Sequence, residues 1–275
     1  MADEHKSSLH VGFIGGGNMA IALAKGFISS KMVKSENIIA SALTERTLTH
    51  WKEIGCKTTL KNSDVVAHSA VLFIAVKPHL VPTVMKEIDK LITERHLVVS
   101  VAAGIPLSSF SKHYGLERVI RLMPNLPCSV KQGAAAFSCG EKATREDADL
   151  VHQLISTTGF VAEVKEPLID TVCGVAGSGS AFVYVVIEAM ADGAVKAGLP
   201  RVLANQFATQ AVLGAATYVK ESGKHPAQLK DETCSPGGTT IDGIYQLERG
   251  GVRAAFIDAV TSAASKAQEL GKKWQ

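Results

Sequence analysis

At 275 residues the chain is long enough to bury a large core, in one large domain or two modest ones. Apolar residues make up 46% of it and charged residues 20%, which excludes an intrinsically disordered chain. The net charge of +3, with no dense run of Lys and Arg, gives little pull on phosphate backbones and argues against a nucleic-acid partner.

The polar opening, residues 1–6, carries acidic residues and has the pattern of neither a secretory signal nor an organellar transit peptide, so a cytoplasmic address is expected. From there to about residue 160, short apolar runs alternate with helical stretches. Residues 11–14, 38–40, 71–76, 97–101 and 119–122 are continuous and rich in β-branched side chains, as strands covered on both faces should be. Between them 19–30, 44–54, 80–92 and 106–112 read as helices, and 62–70 as a further helical stretch. Residues 144–156 add one more helix and 160–164 a last strand. This rhythm predicts an α/β fold with a doubly wound parallel sheet over residues 1–167.

Beyond residue 167 the strand signals stop, and 168–275 reads as an all-helical domain. Residues 180–196 form a helix stopped by Gly198-Leu199-Pro200, and 200–221, 239–248 and 252–270 form three more. Residues 226–230 add at most a single turn. Alanines crowd these helices, with Ala204, Ala208, Ala211, Ala215 and Ala216 on one and Ala254, Ala255, Ala259, Ala263 and Ala264 on another. Such a half is expected to pack against a second copy of the chain rather than as a monomeric bundle. The longest uncharged run, 171–187, is seventeen residues broken by Gly177-Ser178-Gly179-Ser180. It falls short of the roughly 20 apolar residues of a membrane span, so a buried helix is expected there and no membrane partner. Cys56, Cys128, Cys139, Cys173 and Cys234 are odd in number and never closer than eleven positions, the pattern of scattered thiols in a reducing compartment. The histidines have no ligand spacing, and no metal site is expected.

Two stretches carry the chemistry. In "GFIGGGNMA", residues 12–20, Gly15-x-Gly17-x-x-Ala20 follows a strand and opens a helix. The first glycine of such a fingerprint makes a tight turn. The second lets backbone approach a pyrophosphate, which rests on free N–H groups of the helix start, and a small third residue seats the helix on the strand. The sheet is therefore read as Rossmann-type and the ligand as a dinucleotide. After the second strand the chain gives Ser41-Ala42-Leu43-Thr44-Glu45-Arg46, with no carboxylate at the strand end. Ser41 and Arg46 suit a 2′-phosphate, so NADP is expected over NAD. The alternative is that Glu45 takes the ribose and Arg46 faces solvent. "AVKPH" (75–79) and "VAAG" (101–104) stand at carboxyl ends of presumed parallel strands, where open α/β sheets bind ligands. Asn62 is either a helix N-cap or a ribose contact. The second stretch, "ETCSPGGTTIDGI" (232–244), runs Ser235-Pro236-Gly237-Gly238 into a helix at Thr239 or Thr240, a ready anion site with hydroxyls beside it. Alternatively Pro-Gly-Gly is only a turn capped by Thr239.

In chain order, GFIGGGNMA, AVKPH, VAAGI, RLMPNLP (121–127), GVAGSGSAF (174–182) and above all HPAQLKDETCSPGGTT (225–240) resemble the pyrroline-5-carboxylate reductases, from about residue 10 to 270. The resemblance implies reduction of 1-pyrroline-5-carboxylate to L-proline by NADPH or NADH, the last step of proline synthesis. It also implies a helical dimerisation domain, with homodimers often assembled into decamers. It places the cofactor on Ile14, Gly15, Gly16, Gly17, Asn18, Met19, Asn62, Ala75, Val76, Lys77, Pro78, Val101, Ala102 and Ala103. It places substrate near Glu166, Ser178, Ser235, Gly237, Gly238, Thr239 and Thr240. Two departures stand out. The segment after Ser41 is shorter than in some members, and Cys173 occupies a place where some have threonine.

A protonated cyclic imine is already electrophilic, so catalysis is expected to rest on positioning. Thr240 is the candidate for the ring nitrogen, and the N–H groups of residues 237–240 are the candidates for the carboxylate. A β-hydroxyacid dehydrogenase, of similar architecture, needs a lysine in the first helix of the second domain. Here none occurs before Lys196, and Pro200 stands where the matching asparagine would be. A non-catalytic dinucleotide-binding protein would need no second anion site.

Overall fold

The structure is a computed structural model describing residues 9–274. These form two compact units, residues 9–178 with 261–274, and residues 179–260.

In the first unit β1 (Val11–Ile14), β2 (Ile38–Ser41), β3 (Lys57–Thr59), β4 (Val71–Ile74), β5 (Leu97–Ser100), β6 (Val119–Met123), β7 (Gly133–Cys139) and β8 (Gly159–Glu163) make one sheet. Its order is β3-β2-β1-β4-β5-β6-β7-β8. Neighbouring strands run parallel except β6 and β7, which are antiparallel. The expected α/β fold and its doubly wound sheet are present, with two strands beyond those the sequence patterns predict. β3 is a three-residue edge strand, Lys-Thr-Thr, too short and polar to carry a strand signal. β7, Gly-Ala-Ala-Ala-Phe-Ser-Cys, is alanine-rich rather than β-branched. It also reverses the sheet direction, so the parallel sheet expected from the βα rhythm ends at β6.

Alternation along the strands explains the layering. Val11, Phe13, Ile38, Ala40, Val71, Phe73 and Val99 face one side, and Ile14, Ile39, Leu72, Ile74 and Val98 the other. On the first side α1 (Asn18–Ser29) buries Ala20, Leu23, Ala24 and Phe27, α2 (Glu45–Glu53) buries Leu48 and Trp51, and α6 (Arg145–Ser156) buries Val151, Leu154 and Ile155. On the second side α3 (Asn62–His68), α4 (Val81–Ile88) and α5 (Leu107–Tyr114) bury Val65, Val84, Met85, Ile88 and Phe110. Phe13 stacks on Phe73 at 4.8 Å between centroids and tilts against Trp51 at 5.2 Å. Each such aromatic contributes on the order of 1.5–3 kcal/mol of burial. The predicted 80–92 helix is broken into α4 and short 3₁₀ turns at Pro78–Leu80 and Asp89–Leu91.

The stretch Glu166–Lys196 is one continuous helical run, comprising a turn at Glu166–Leu168, α7 (Ile169–Val172), a wider π-type turn (Cys173–Gly177) and α8 (Gly179–Lys196). The second unit holds α8, α9 (Arg201–Ser222), α10 (Pro226–Thr233), α11 (Thr239–Arg249) and the start of α12 (Val252–Lys272). α10 is eight residues rather than a single turn, because His225 caps it by accepting from the Ala227 N–H at 3.2 Å. Ala191, Ala204 and Ala208 let α8 and α9 meet closely. The compact units divide at 178/179, within the helical run that begins at Glu166, and the last residues return to the first unit, where Ser109 Oγ donates to the Trp274 carbonyl at 2.8 Å. The helix expected to be buried is not buried within one chain. It is long and apolar enough to cross a membrane by length and composition, yet Ala191 is the buried residue of α8.

A capping box starts α6: Thr144 Oγ1 accepts from the Asp147 N–H at 3.2 Å, and Asp147 accepts from the Thr144 N–H at 3.0 Å. Arg118 grips the same carboxylate with two bonds, 2.7 and 2.9 Å. Burial pushes the Asp147 pKa up, but the Arg118 and Thr144 bonds outweigh it and hold it below the usual carboxylate value. Asp147→Ala should therefore destabilise the chain by about 2–4 kcal/mol in urea unfolding at pH 7. Since the folded pKa is depressed, this contribution is present above the unfolded value of roughly 4 and is lost as pH falls through the folded one. The parent and variant curves should converge in acid.

Candidate active site

The strand order reverses between β1 and β4, and there the carboxyl ends are in register: Ile14 pairs with Ser41 and Ile74, and Ile74 with Ser100. Residues 15, 42, 75 and 101 thus leave the sheet at one level, at the switch point where such sheets bind ligands. Gly15 has φ +101°, and a Cβ there would lie 2.6 Å from the Ala75 carbonyl oxygen, so two turns meet with no room for a side chain. The Gly15 N–H donates to the Ser41 carbonyl at 3.1 Å, and that of Ala75 to Ile14 at 2.8 Å. Gly17 caps α1 with extended backbone, contributes no side-chain bond, and opens on unfilled space. No acidic residue stands in the first turn of α1, whose leading N–H groups lack intrahelical partners. This cradle fits an anion such as a pyrophosphate. Ala20, fully buried, seats the helix as a small third residue should.

Trp51, which sequence reasoning passed over, fastens the cradle. Its buried indole N–H donates to the Gly16 carbonyl at 3.0 Å. The signal was the tryptophan three positions after Leu48 in the otherwise polar α2, the spacing of one buried helix face.

Asn62 is not an N-cap. Lys61 holds that position, and Asn62 is the first residue of α3. Its Oδ1 accepts from the buried Ser41 hydroxyl at 2.7 Å, and its Nδ2 donates to Glu87 at 2.6 Å. Ser41 thus acts first on Asn62. Glu45 is occupied by Lys52 at 2.6 Å, while Arg46 is exposed at the start of α2. Lys77 is exposed and Pro78 begins the turn after β4, and Ala102 is buried between Val101 and Ala103 beyond β5.

Glu166 faces the loop after β5. Its Oε1 accepts from the Leu107 N–H at 2.7 Å and from Arg121 at 3.4 Å, and Arg121 also donates to Asp170 at 2.5 Å. Beside this network lies a cavity of about 390 Å³ walled by Gly104, Arg121, Glu166, Asp170, Gln268 and Lys272. Ser178 ends the π-type turn, its N–H donating to the Cys173 carbonyl at 2.8 Å. Burial pushes the Cys173 thiol pKa up, and that of Cys56 to about 12, so neither is a ready nucleophile.

In the second unit Ser235–Gly238 is a tight turn closed by Gly238 N–H to the Ser235 carbonyl at 3.1 Å, with Gly237 at φ +68°. Pro at the second place and Gly at the third is the type II pattern. Gly238, not Thr239, is the N-cap of α11, so Thr239 and Thr240 occupy the first two helical positions with their hydroxyls released from capping. N-terminal N–H groups under a cap without a side chain make a second anion cradle, one unit away in the chain from the first.

A glycine turn at the switch point of an open α/β sheet, continued by a helical unit with its own anion cradle, is the build of a dinucleotide-dependent oxidoreductase. A family model described as pyrroline-5-carboxylate reductase dimerisation matches residues 166–270, and one described as NADP oxidoreductase, coenzyme F420-dependent, matches residues 10–104. The chain is 48% identical to pyrroline-5-carboxylate reductase 3 of Danio rerio over 96% of its own length and 92% of that protein's. Its structure is similar to a pyrroline-5-carboxylate reductase of Coxiella burnetii (TM-score 0.88, 32% identity, 96% of this chain and 99% of that one). It is equally similar to a Plasmodium falciparum pyrroline carboxylate reductase with NADP bound (TM-score 0.88, 29% identity, the same coverage). The chain belongs to the pyrroline-5-carboxylate reductase family.

Trp51→Phe should leave the Gly16 carbonyl buried without its donor. It should lower stability by about 1–3 kcal/mol in denaturant titration. Dinucleotide affinity, followed by fluorescence titration, should weaken several-fold with it.

Proposed function

We propose that the chain reduces 1-pyrroline-5-carboxylate to L-proline with NADPH, the last step of proline synthesis. The observation that carries this reading is the Ser235–Gly238 turn opening α11, a cradle for a small carboxylate with two threonines released from capping, on a chain of this family. Cofactor binding falls to the first unit. There the N–H groups of residues 16–19 take the pyrophosphate, with residues 75–78 and 101–103 around the nicotinamide half. Asn62 contacts ribose, and Arg46 a 2′-phosphate. The preference for NADPH is supported by an exposed guanidinium after β2 and by Glu45 already paired with Lys52.

Once bound, the dinucleotide supplies the hydride that reduces the C=N carbon. The chain itself holds and orients. In the second unit the N–H groups of residues 237–240 bind the substrate carboxylate with Ser235 beside them, and the Thr240 hydroxyl bonds the ring nitrogen. In the first unit Ser178 serves the substrate, and Glu166 orders the loop after β5 through the Leu107 N–H. No strong acid is needed, because protonation of the imine precedes attack.

Oligomerisation comes with the dimerisation match. Val185, Val202, Phe207, Tyr218 and Ile257 are more than half exposed on one chain, which supports a homodimer formed through the helical unit; a decamer as the larger assembly rests on the family resemblance alone.

Thr240→Val, nearly isosteric, tests the reading. If the hydroxyl bonds a charged ring nitrogen, its loss should cost about 1.5–3 kcal/mol, seen as a roughly 10- to 150-fold fall in kcat/KM for 1-pyrroline-5-carboxylate with NADPH affinity nearly unchanged. A folded variant within about twofold of the parent would remove Thr240 from the chemistry. Arg46→Ala should raise KM for NADPH by about tenfold or more and leave NADH unmoved; equal losses with both would remove the 2′-phosphate contact.

A further inference from the structure

Residues 121, 123 and 125 leave the extended chain of β6 and its continuation at two-residue intervals, and all reach the run from Glu166 to Ser178. Arg121 binds Glu166 and Asp170. The Met123 methyl lies against Gly177, where a Cβ would meet it at 2.6 Å. Asn125, 7% exposed, donates from Nδ2 to the Ala176 carbonyl at 3.1 Å and accepts at Oδ1 from the Ala134 N–H of β7 at 2.9 Å. Arg121 is level with Ser100, the last residue of β5, so Asn125, two residues past the end of β6, lies beyond the carboxyl ends of both strands. What it grips there is the π-type turn, a rare local geometry frequently found at functional sites. Ser178 closes that turn.

We propose that Asn125 is a positioning residue of the reaction: its amide fixes the wide turn at the Ala176 carbonyl and so sets the Ser178 hydroxyl for substrate. The inference rests on the reductase reading above and on the place of Ser178 in it. Asn125 makes two bonds of different sense, which lets them be separated. Asn125→Asp keeps an acceptor for the Ala134 N–H and withdraws the donor from Ala176.

The test compares the full-length parent with Asn125→Asp, Ser178→Ala and the double variant, assaying 1-pyrroline-5-carboxylate reduction, NADPH affinity and thermal unfolding. Asn125→Asp should lower kcat/KM at least tenfold, chiefly through KM for the imine, with the NADPH Kd within about twofold. In the Ser178→Ala background the same change should cost less than about threefold more, since the route through Ser178 is already broken. If Asn125→Asp fails to fold, Asn125→Ser, which leaves room for a water at the amide's place, is held to the same outcomes. An active parent whose variants show multiplying losses, or a lowered Tm with unchanged kcat/KM, overturns the positioning role alone. A parent that does not reduce the imine overturns the reductase reading, and this inference with it.

Discussion

Everything at the first cradle depends on one close approach, that of the Gly15 turn to the Ala75 carbonyl. β1 and β4 are adjacent although far apart in sequence, because helices must cover both sheet faces and the chain therefore starts in the middle and winds outward each way. That brings two strand ends side by side with no strand turn bridging them. A residue with a Cβ at position 15 would push them apart. Glycine there costs conformational entropy in the unfolded chain. In exchange, the N–H groups that begin α1 point into an open crevice, which the Trp51 bond to Gly16 keeps in shape.

The first sheet was legible in the sequence because its central strands are buried on both faces. Four-residue runs such as Val-Gly-Phe-Ile and Val-Leu-Phe-Ile have no polar interruption, and no other local structure explains them as well. β7 was not legible because its stability comes from neighbours. Three alanines have little strand preference of their own, and it is pairing with β6 and β8 that makes them a strand. The glycine fingerprint and the Ser235–Thr240 stretch were readable because each needs particular residue types at fixed offsets. The partners of the site were less so. Glu87 reaching Asn62, and Arg121 reaching Glu166 and Asp170, join residues 25, 45 and 49 positions apart, and nothing local marks such pairs. Asn125 lies inside the RLMPNLP stretch, yet its work is a bond to a carbonyl 51 residues on.

The two cradles solve one physical problem in different ways. In the first, a strand delivers the glycine turn, so its position is set by the sheet. In the second, a type II turn delivers it, so its position is set by Pro236 and by the cap at His225 that starts α10 just before. Both leave the helix N-terminus without a side-chain cap, where most helices would carry Ser, Thr or Asp. Without a side-chain cap, the leading N–H groups of both helices are left for water or an anion to satisfy.

The long run from Glu166 to Lys196 leaves most of its apolar surface uncovered on a single chain. Where a second copy of the chain covers such a surface, folding and assembly are linked, so stability comes to depend on protomer concentration and dilution itself acts as a denaturant. A single chain with this run uncovered presents the kind of apolar surface that drives aggregation during folding.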